Sequence, residues 1–289
     1  MFDIKDKNVL ITGATSGIGR AAAIELSSIG ANIFFVARSE SKAQLLVDDI
    51  NKINGKGAIP IIADLSSQSD IRKAAQKFNT LNLPLHVLLN NAGLINKERK
   101  ETIDGYEEVF AINHLAYFLL TNLLIDKLKE ANGSRIVNVS SGAHAFVKGF
   151  NFEDVQSEKI YKPFQVYGYS KLANILFTKK LSAILENNKI TVNCLHPGVV
   201  STSFGQNNGN LQKYLFFLAK PFMRSSEKGA ETSVYLCSSP EVSDESGQYF
   251  YNCKVAKTTK WAQSKEAVSY THLRAHETVL DLVCRLLLE

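Results

Sequence analysis

The sequence predicts an α/β fold: a single domain on a doubly wound parallel sheet with helices on both faces. Three observations carry this expectation. Short apolar runs of strand length alternate with longer stretches of helical periodicity, and that alternation builds parallel sheets from strand–helix–strand units. A glycine-rich turn, Thr12-Gly13-Ala14-Thr15-Ser16-Gly17-Ile18-Gly19, joins the first run to the first helix. Polar, glycine or proline residues cluster at the carboxyl ends of the runs, where ligands of such sheets sit.

A chain of 289 residues, 45% hydrophobic and 21% charged, is long enough for one large core. The net charge of +5 is scattered without a long basic run, so a nucleic-acid groove is not expected. The mild positive field suits an anionic small molecule equally well. Cys194, Cys237, Cys253 and Cys284 lie far apart and show no C-x-x-C spacing. They read as free thiols in a reducing compartment. The N-terminus carries neither an apolar signal region nor a membrane span, which points to a cytoplasmic protein.

In order, Asn8 to Ile11 is a buried first strand, followed by the glycine-rich turn and a helix from Arg20 to Ile29. Strand, glycine turn and helix together make a phosphate cradle, because glycine lets the backbone approach and the helix start offers free N–H groups. The spacing is Gly-x-x-x-Gly-x-Gly, not the commoner Gly-x-Gly-x-x-Gly. Asn32 to Ala37 is a second strand, ending at Arg38. An acid at that end would bind the adenosine ribose of NAD. A guanidinium there can pair with a 2′-phosphate instead, which favours NADP(H) over NAD(H); the other reading of Arg38 is a solvated surface side chain. A helix over about Lys42 to Ile53 closes at Asn54-Gly55. Ala58 to Ala63 is the third strand. Asp64, with Leu65 beside it, could accept from the adenine amino group or cap a helix starting near Ser69. Leu85 to Leu89 is the fourth strand, and Asn90-Asn91-Ala92-Gly93 ends it with small and amide residues. Glu107 to Lys129 reads as one helix whose apolar face is interrupted by Asn113 and His114. A buried asparagine needs partners, as part of a structural network or as a water-holding catalytic group. Arg135 to Val139 is the fifth strand and runs into Ser140-Ser141. Thr191 to Leu195 is the sixth, broken by His196-Pro197-Gly198, and Gly247 to Phe250 is a short last strand.

Between the fifth and sixth strands lies Tyr167-Gly168-Tyr169-Ser170-Lys171, continuing into a helical pattern. Tyr167 and Lys171 are four apart and share one helix face. A fixed ammonium beside a phenol favours the phenolate, so the pair can exchange a proton with a carbonyl or alcohol oxygen. The plainer reading is an amphipathic helix with an exposed lysine.

These residues resemble the short-chain dehydrogenase/reductase family, whose fold is the Rossmann-type doubly wound sheet. The matching pieces are Thr12-Gly13-x-x-x-Gly17-x-Gly19, Asn90-Asn91-Ala92-Gly93, Asn113, Ser141, Tyr167-x-x-x-Lys171 and Pro197-Gly198, in the family's order over roughly residues 5 to 260. Asn138-Val139-Ser140-Ser141 with His144, Tyr167 through Asn174, and His196-Pro197-Gly198-Val199-Val200 are similar to the retinol dehydrogenase-like branch. The resemblance implies NADP(H)-dependent interconversion of a carbonyl and an alcohol on a lipophilic small molecule, retinal-like or another aldehyde or ketone. It implies that Tyr167 is the general acid/base. Lys171 would hold the nicotinamide ribose and lower the phenol's pKa. Ser141, rather than Ser140 one step early, would bind the substrate oxygen, and Asn113 would fix a relay water. Cofactor contacts are implied for Gly13, Thr15, Ser16, Gly17, Ile18, Gly19, Arg38, Asp64, Leu65, Asn90, Ala92, Gly93, Tyr167, Lys171, Pro197, Gly198 and Val200. A homodimer through the helices bearing Asn113 and Tyr167 is a further implication. The alternatives are a C=C reductase of the protochlorophyllide reductase type and a catalytically silent NADP(H)-sensing regulator; the latter should have lost the tyrosine, lysine or serine.

The domain is expected to span 1–267. A substrate lid over about 202–227 contains the apolar stretch Leu211 to Met223, which reads as a pocket wall, an ordinary core helix or a membrane-resting surface. Residues 268–289, from Val268-Ser269-Tyr270-Thr271-His272-Leu273-Arg274-Ala275-His276 onward, resemble a translated sequencing-library adapter and are set aside from the fold. That removes a false zinc pair, His272 and His276, and Cys284 as a thiol, leaving no metal site; one further native helix would follow in their place. Without this segment's two arginines and three acids, the rest of the chain carries one more positive charge.

Overall fold

In the computed structural model of the chain, the described residues are 2–149, 153–200 and 224–264. The lid expected over 202–227 therefore lies outside them except for its last four residues, and the tail at 268–289 lies outside entirely. Among the described residues, eight strands form one sheet: β1 (Asn8–Thr12), β2 (Asn32–Ala37), β3 (Ala58–Ile62), β4 (Val87–Asn90), β5 (Ser134–Val139), β6 (Ile190–Leu195), β7 (Tyr249–Tyr251) and β8 (Lys254–Val255). Their spatial order is β3-β2-β1-β4-β5-β6-β7-β8. Every neighbouring pair is parallel except the last, which is antiparallel. The order reverses between β1 and β4, so a crevice opens beyond Thr12 and Asn90, the switch point of a doubly wound sheet.

The helices are α1 (Gly17–Ser28), α2 (Glu40–Asn54), α3 (Gln68–Asn79), α4 (Glu108–Phe110), α5 (Ala116–Leu123), α6 (Ile125–Glu130), α7 (Pro163–Ile184) and α8 (Ser226–Ser238). Local chemistry sets their ends. The Ser39 and Ser67 hydroxyls accept from Lys42 N and Asp70 N to cap α2 and α3. Gly55 closes α2 in the left-handed region at φ 69°. Pro163 opens α7 at the one position where a missing N–H costs nothing.

Strand residues alternate between two cores. Leu10, Phe34, Phe78, Phe118 and Phe177 pack on one side of the sheet, under α3, α5 and α7. Val9, Ile11, Phe35, Leu26, Ile50 and Leu236 pack on the other, under α1, α2 and α8. This is the period of two expected of strands covered on both faces.

The expected helix over Glu107 to Lys129 is divided. After the short α4 the chain makes a π-helical turn, Ala111–Leu115, then α5, a break at Leu124, and α6. Apolar residues continue on either side of Asn113 and His114, so periodicity alone hides the extra residue of the π turn. Pro163 begins α7, so Tyr167 lies one turn inside it.

Candidate active site

The crevice is built first from the turn after β1. Gly13 sits at φ 68°, and a Cβ there would lie 2.8 Å from Ala92 Cα. A Cβ on Gly19 would overlap the Asn91 amide and the Gly13 carbonyl. Both glycines thus let the turn close against the end of β4. Asn91 and Thr12 lock that closure: Thr12 Oγ1 accepts from Asn91 N (2.9 Å) and Ala92 N (3.0 Å), and Asn91 Nδ2 donates to the Thr12 and Gly13 carbonyls. Asn91 was not singled out from the sequence, although it stands inside the motif. At the start of α1, the exposed Ser16 makes no side-chain capping bond, unlike Ser39 and Ser67. The first N–H groups of a twelve-residue helix are therefore uncapped by side chains at the mouth of the crevice, which fits a pyrophosphate. Thr15, Gly17 and Ile18 lie beside them, partly exposed.

Arg38 follows the end of β2, with its side chain 74% exposed. Asp64 Oδ2 lies 3.8 Å from its Nη1, a loose pair that holds little of the guanidinium. Asp64 Oδ1 accepts from Ser66 N and Oγ, and the cap of α3 is Ser67, so the helix-capping reading of Asp64 is corrected. Leu65 packs partly buried against the core. Asn90 also departs from expectation. The residue is fully buried and its Nδ2 donates to Thr121 Oγ1 (3.0 Å) and Asn138 Oδ1 (2.9 Å), so its side chain serves the core. Ala92 is buried, whereas Gly93 is exposed, and a Cβ on Gly93 would meet Asn113 Oδ1 at 3.3 Å and Lys171 Nζ at 3.4 Å.

Beyond the crevice, β5 and α7 bring three polar side chains together. Lys171 is buried, its Nζ donating to Val139 O (3.1 Å) and lying 5.6 Å from the Tyr167 ring centre. Burial pushes its pKa down to about 7. The Tyr167 hydroxyl shares a hydrogen bond with the Ser141 side chain, which opposes burial; burial prevails and pushes the phenol up to about 12. The expected lowering of the phenol by Lys171 is therefore absent from this arrangement. Burial disfavours the charged form of the amine, and its Nζ is turned to the Val139 carbonyl. Ser141 Oγ accepts from Ala143 N (3.1 Å), while Ser140 points away and donates to Lys171 O (2.7 Å).

Asn113 sits in the π turn and is fully buried. Its Oδ1 accepts from Leu94 N (2.8 Å), and its Nδ2 donates to Leu94 O and Ser170 Oγ. The side chain is a latch between the loop after β4 and α7, which leaves it little capacity for the relay water expected of it. Pro197 and Gly198 follow β6, where Gly198 N donates to His196 Nδ1 (3.1 Å), and Val200 bridges to Arg224. The structure thus gathers Ser141, Tyr167, Lys171, Asn113 and Gly93 in one place, with the glycine turn and Arg38 further along the carboxyl edge of the sheet. Among the described residues no cluster of His, Cys, Asp and Glu could hold a metal.

A fold with this switch point and this phenol, hydroxyl and amine defines an oxidoreductase of alcohol and carbonyl carbons. Comparison with known proteins narrows the class. The short chain dehydrogenase family model matches residues 7–212. The chain is 41% identical to human (Homo sapiens) retinol dehydrogenase 14, covering 86% of this chain and 79% of that protein. It is 38% identical to retinol dehydrogenase 12 of Mus musculus (91% and 83%) and to human polyprenol dehydrogenase (88% and 79%). A crystal structure of an uncharacterised protein from Mycobacterium paratuberculosis superposes with a TM-score of 0.78 at 25% identity, covering 96% and 95% of the two chains. A short-chain type dehydrogenase/reductase from Mycobacterium marinum shares the fold at a TM-score of 0.70 and 24% identity, covering 88% and 98%. The chain belongs to the short-chain dehydrogenase/reductase family, in its retinol dehydrogenase-like branch. It is an NAD(P)-dependent oxidoreductase.

Proposed function

We propose that this domain, residues 1–267, interconverts a carbonyl and an alcohol on a lipophilic small molecule with NADP(H), Tyr167 serving as general acid and base. The observation that carries the reading is the convergence of Ser141, Tyr167 and Lys171 at the carboxyl end of β5. The dinucleotide supplies the hydride chemistry when bound. The chain's residues supply position and proton. With its pKa near 12, the phenol keeps its proton at neutral pH and can donate it to a substrate oxygen. Ser141, already sharing a hydrogen bond with that phenol, orients the same oxygen. Lys171 has one hydrogen bond to Val139 O and further N–H groups for ribose hydroxyls. The glycine turn with Thr15, Ser16 and Ile18 would hold the pyrophosphate, Arg38 the 2′-phosphate, and Asp64 and Leu65 the adenine. Asn90 (through its main chain), Ala92, Gly93, Pro197, Gly198 and Val200 would line the ribose and nicotinamide.

Support for a lipophilic substrate comes from Phe146 and Phe164, 70% and 60% exposed. They lie edge to face at 5.9 Å, just past Ser141 and one helical turn before Tyr167. The relatives' names, retinol and polyprenol dehydrogenase, denote enzymes of apolar alcohols. A cytoplasmic setting suits the free thiols Cys194, Cys237 and Cys253, and no helix among the described residues is long and apolar enough to cross a membrane. A homodimer through the faces of the π turn and α7 completes the reading.

The test is NADPH oxidation with a panel of medium- and long-chain aldehydes. Tyr167→Phe should bind NADPH normally and turn over at least ~100-fold more slowly, the lower range for general acid catalysis. Unchanged turnover would overturn the mechanism. Arg38→Asp should move preference towards NADH, measured as the ratio of kcat/KM for the two cofactors, since an acid repels a 2′-phosphate. A wild-type enzyme that already prefers NADH would defeat the NADP(H) assignment.

A further inference from the structure

Two buried polar side chains behind Lys171 have no place in the roles above. His114, in the π turn, and Asn174, three residues after Lys171 on α7, are both fully buried. Asn174 Nδ2 donates to Asn113 O (2.8 Å) and to Val139 O (3.4 Å). Val139 O is the same oxygen that receives the Lys171 ammonium at 3.1 Å. Asn174 Oδ1 lies 3.0 Å from His114 Nδ1. Since the amide nitrogen is committed to two carbonyls, the amide oxygen must accept, and Nδ1 of His114 carries the hydrogen. The other ring nitrogen, Nε2, has no hydrogen-bond partner among the described residues. The ring lies near Phe110 and Phe177, at 5.1 Å and 6.1 Å between centres.

A ring kept there for packing alone would do better without nitrogen. Burying an unpaired polar atom costs about 1–3 kcal/mol, and an apolar side chain of similar size would avoid it. Among the described residues, the one polar contact the ring makes is to Asn174. We propose that His114 and Asn174 are positioning residues: His114 fixes the amide of Asn174, which spans the carbonyls of Asn113 and Val139 and so sets the Lys171 ammonium against Tyr167. The proposal rests on the roles proposed above for Tyr167 and Lys171. His114 acts as a neutral donor throughout, because burial, with the nearby Lys171, pushes its pKa down to about 4.

The discriminating pair is His114→Leu and His114→Asn in the full chain. Leucine fills the apolar space and removes the donor. Asparagine fills it poorly and can return an N–H close to the Nδ1 position. Positioning requires that kcat falls at least ~10-fold in His114→Leu, within the ~100-fold that a misplacement of about 1 Å can cost. Substrate KM should stay within about threefold, and His114→Asn should recover kcat to within about threefold of wild type. A packing role gives the opposite order, and wild-type turnover in His114→Leu overturns the proposal. If that variant does not fold, the imidazole nitrogen chemical shifts of wild-type protein decide. A neutral Nδ1–H tautomer that does not titrate between about pH 8 and pH 5, with or without NADPH, supports the inference; an Nε2–H tautomer sinks it. Tyr167→Phe in the same assay separates the two failures. If that variant keeps its turnover, the functional reading fails; if it loses turnover while His114→Leu does not, only the positioning role fails.

Discussion

Burial acts on Tyr167 and Lys171 in opposite directions, raising the phenol and lowering the amine, so that both lean towards neutrality. A lysine held at about 7 when folded and at its ordinary 10.5 when unfolded ties stability to pH. Between those values the unfolded chain binds the extra proton, so the contribution of Lys171 to stability rises with pH over that window and is flat below it. Without added nucleotide, the urea midpoint of wild type relative to Lys171→Met should increase from pH 7 to pH 10. A constant difference would show that the amine is not desolvated in the free enzyme. The placement of residues was legible wherever a motif fixes a backbone position, as at Gly13, Gly19 and Ser141. It was less legible where a side chain chooses between faces. Asn90 and Asn91 are adjacent amides, and only the alternation of β4 sends the first into the core and the second onto the glycine turn.

At the scale of elements, the piece that decides the site is the one the sequence hid. Glu107 is fully buried, and its carboxylate accepts from Val109 N (2.9 Å) and Phe110 N (2.6 Å), starting α4 just ahead of the π turn. Its own main-chain N–H donates to Gln156 Oε1 (2.7 Å), pinning the start to the loop before α7. Burial still holds its pKa above the usual carboxylate value despite these bonds. We expect Glu107→Ala to cost about 2 kcal/mol, the upper end for a lost helix cap, seen as a lower urea midpoint with an unchanged slope. A neutral effect would mean that the π turn is held by its packing alone. Strands and the long helices were readable from periodicity because each buries one face or two. The π turn, the break at Leu124 and α8 were not. The first two lie in a largely apolar stretch that resumes after Asn113 and His114, and α8 has a weak apolar pattern, its buried side reading Gly229, Ala230, Thr232, Ser233, Leu236 and Cys237.

Across the whole molecule, one buried cation ties distant parts of the chain together. Arg135 on β5 is 3% exposed and donates to Leu236 O (3.0 Å), Ser239 O (2.8 Å) and Ser243 Oγ (3.2 Å), with its guanidinium 3.7 Å over the Phe2 ring. It thereby satisfies carbonyls at the end of α8, about a hundred residues away in the chain. Arg135→Met should lower unfolding free energy by about 1–3 kcal/mol, the cost of leaving such acceptors unpaired, with cofactor affinity unchanged. Titration of NADPH fluorescence alongside urea unfolding checks both halves. The doubly wound parallel sheet and its first seven strands were legible, because each is a short apolar run bounded by turn residues; their spatial order came only from the structure. The antiparallel β8 was not, since two residues are too few to show a pattern.

Both rims of that sheet are blunted. At one, Pro60 sits in β3, where it has no N–H to offer a foreign chain. At the other, among the described residues, the sheet stops at a two-residue strand that presents Lys254 to water. An extended peptide arriving at either rim meets a gap or a charge instead of a template. Fibrous growth by strand addition is thereby discouraged at both rims.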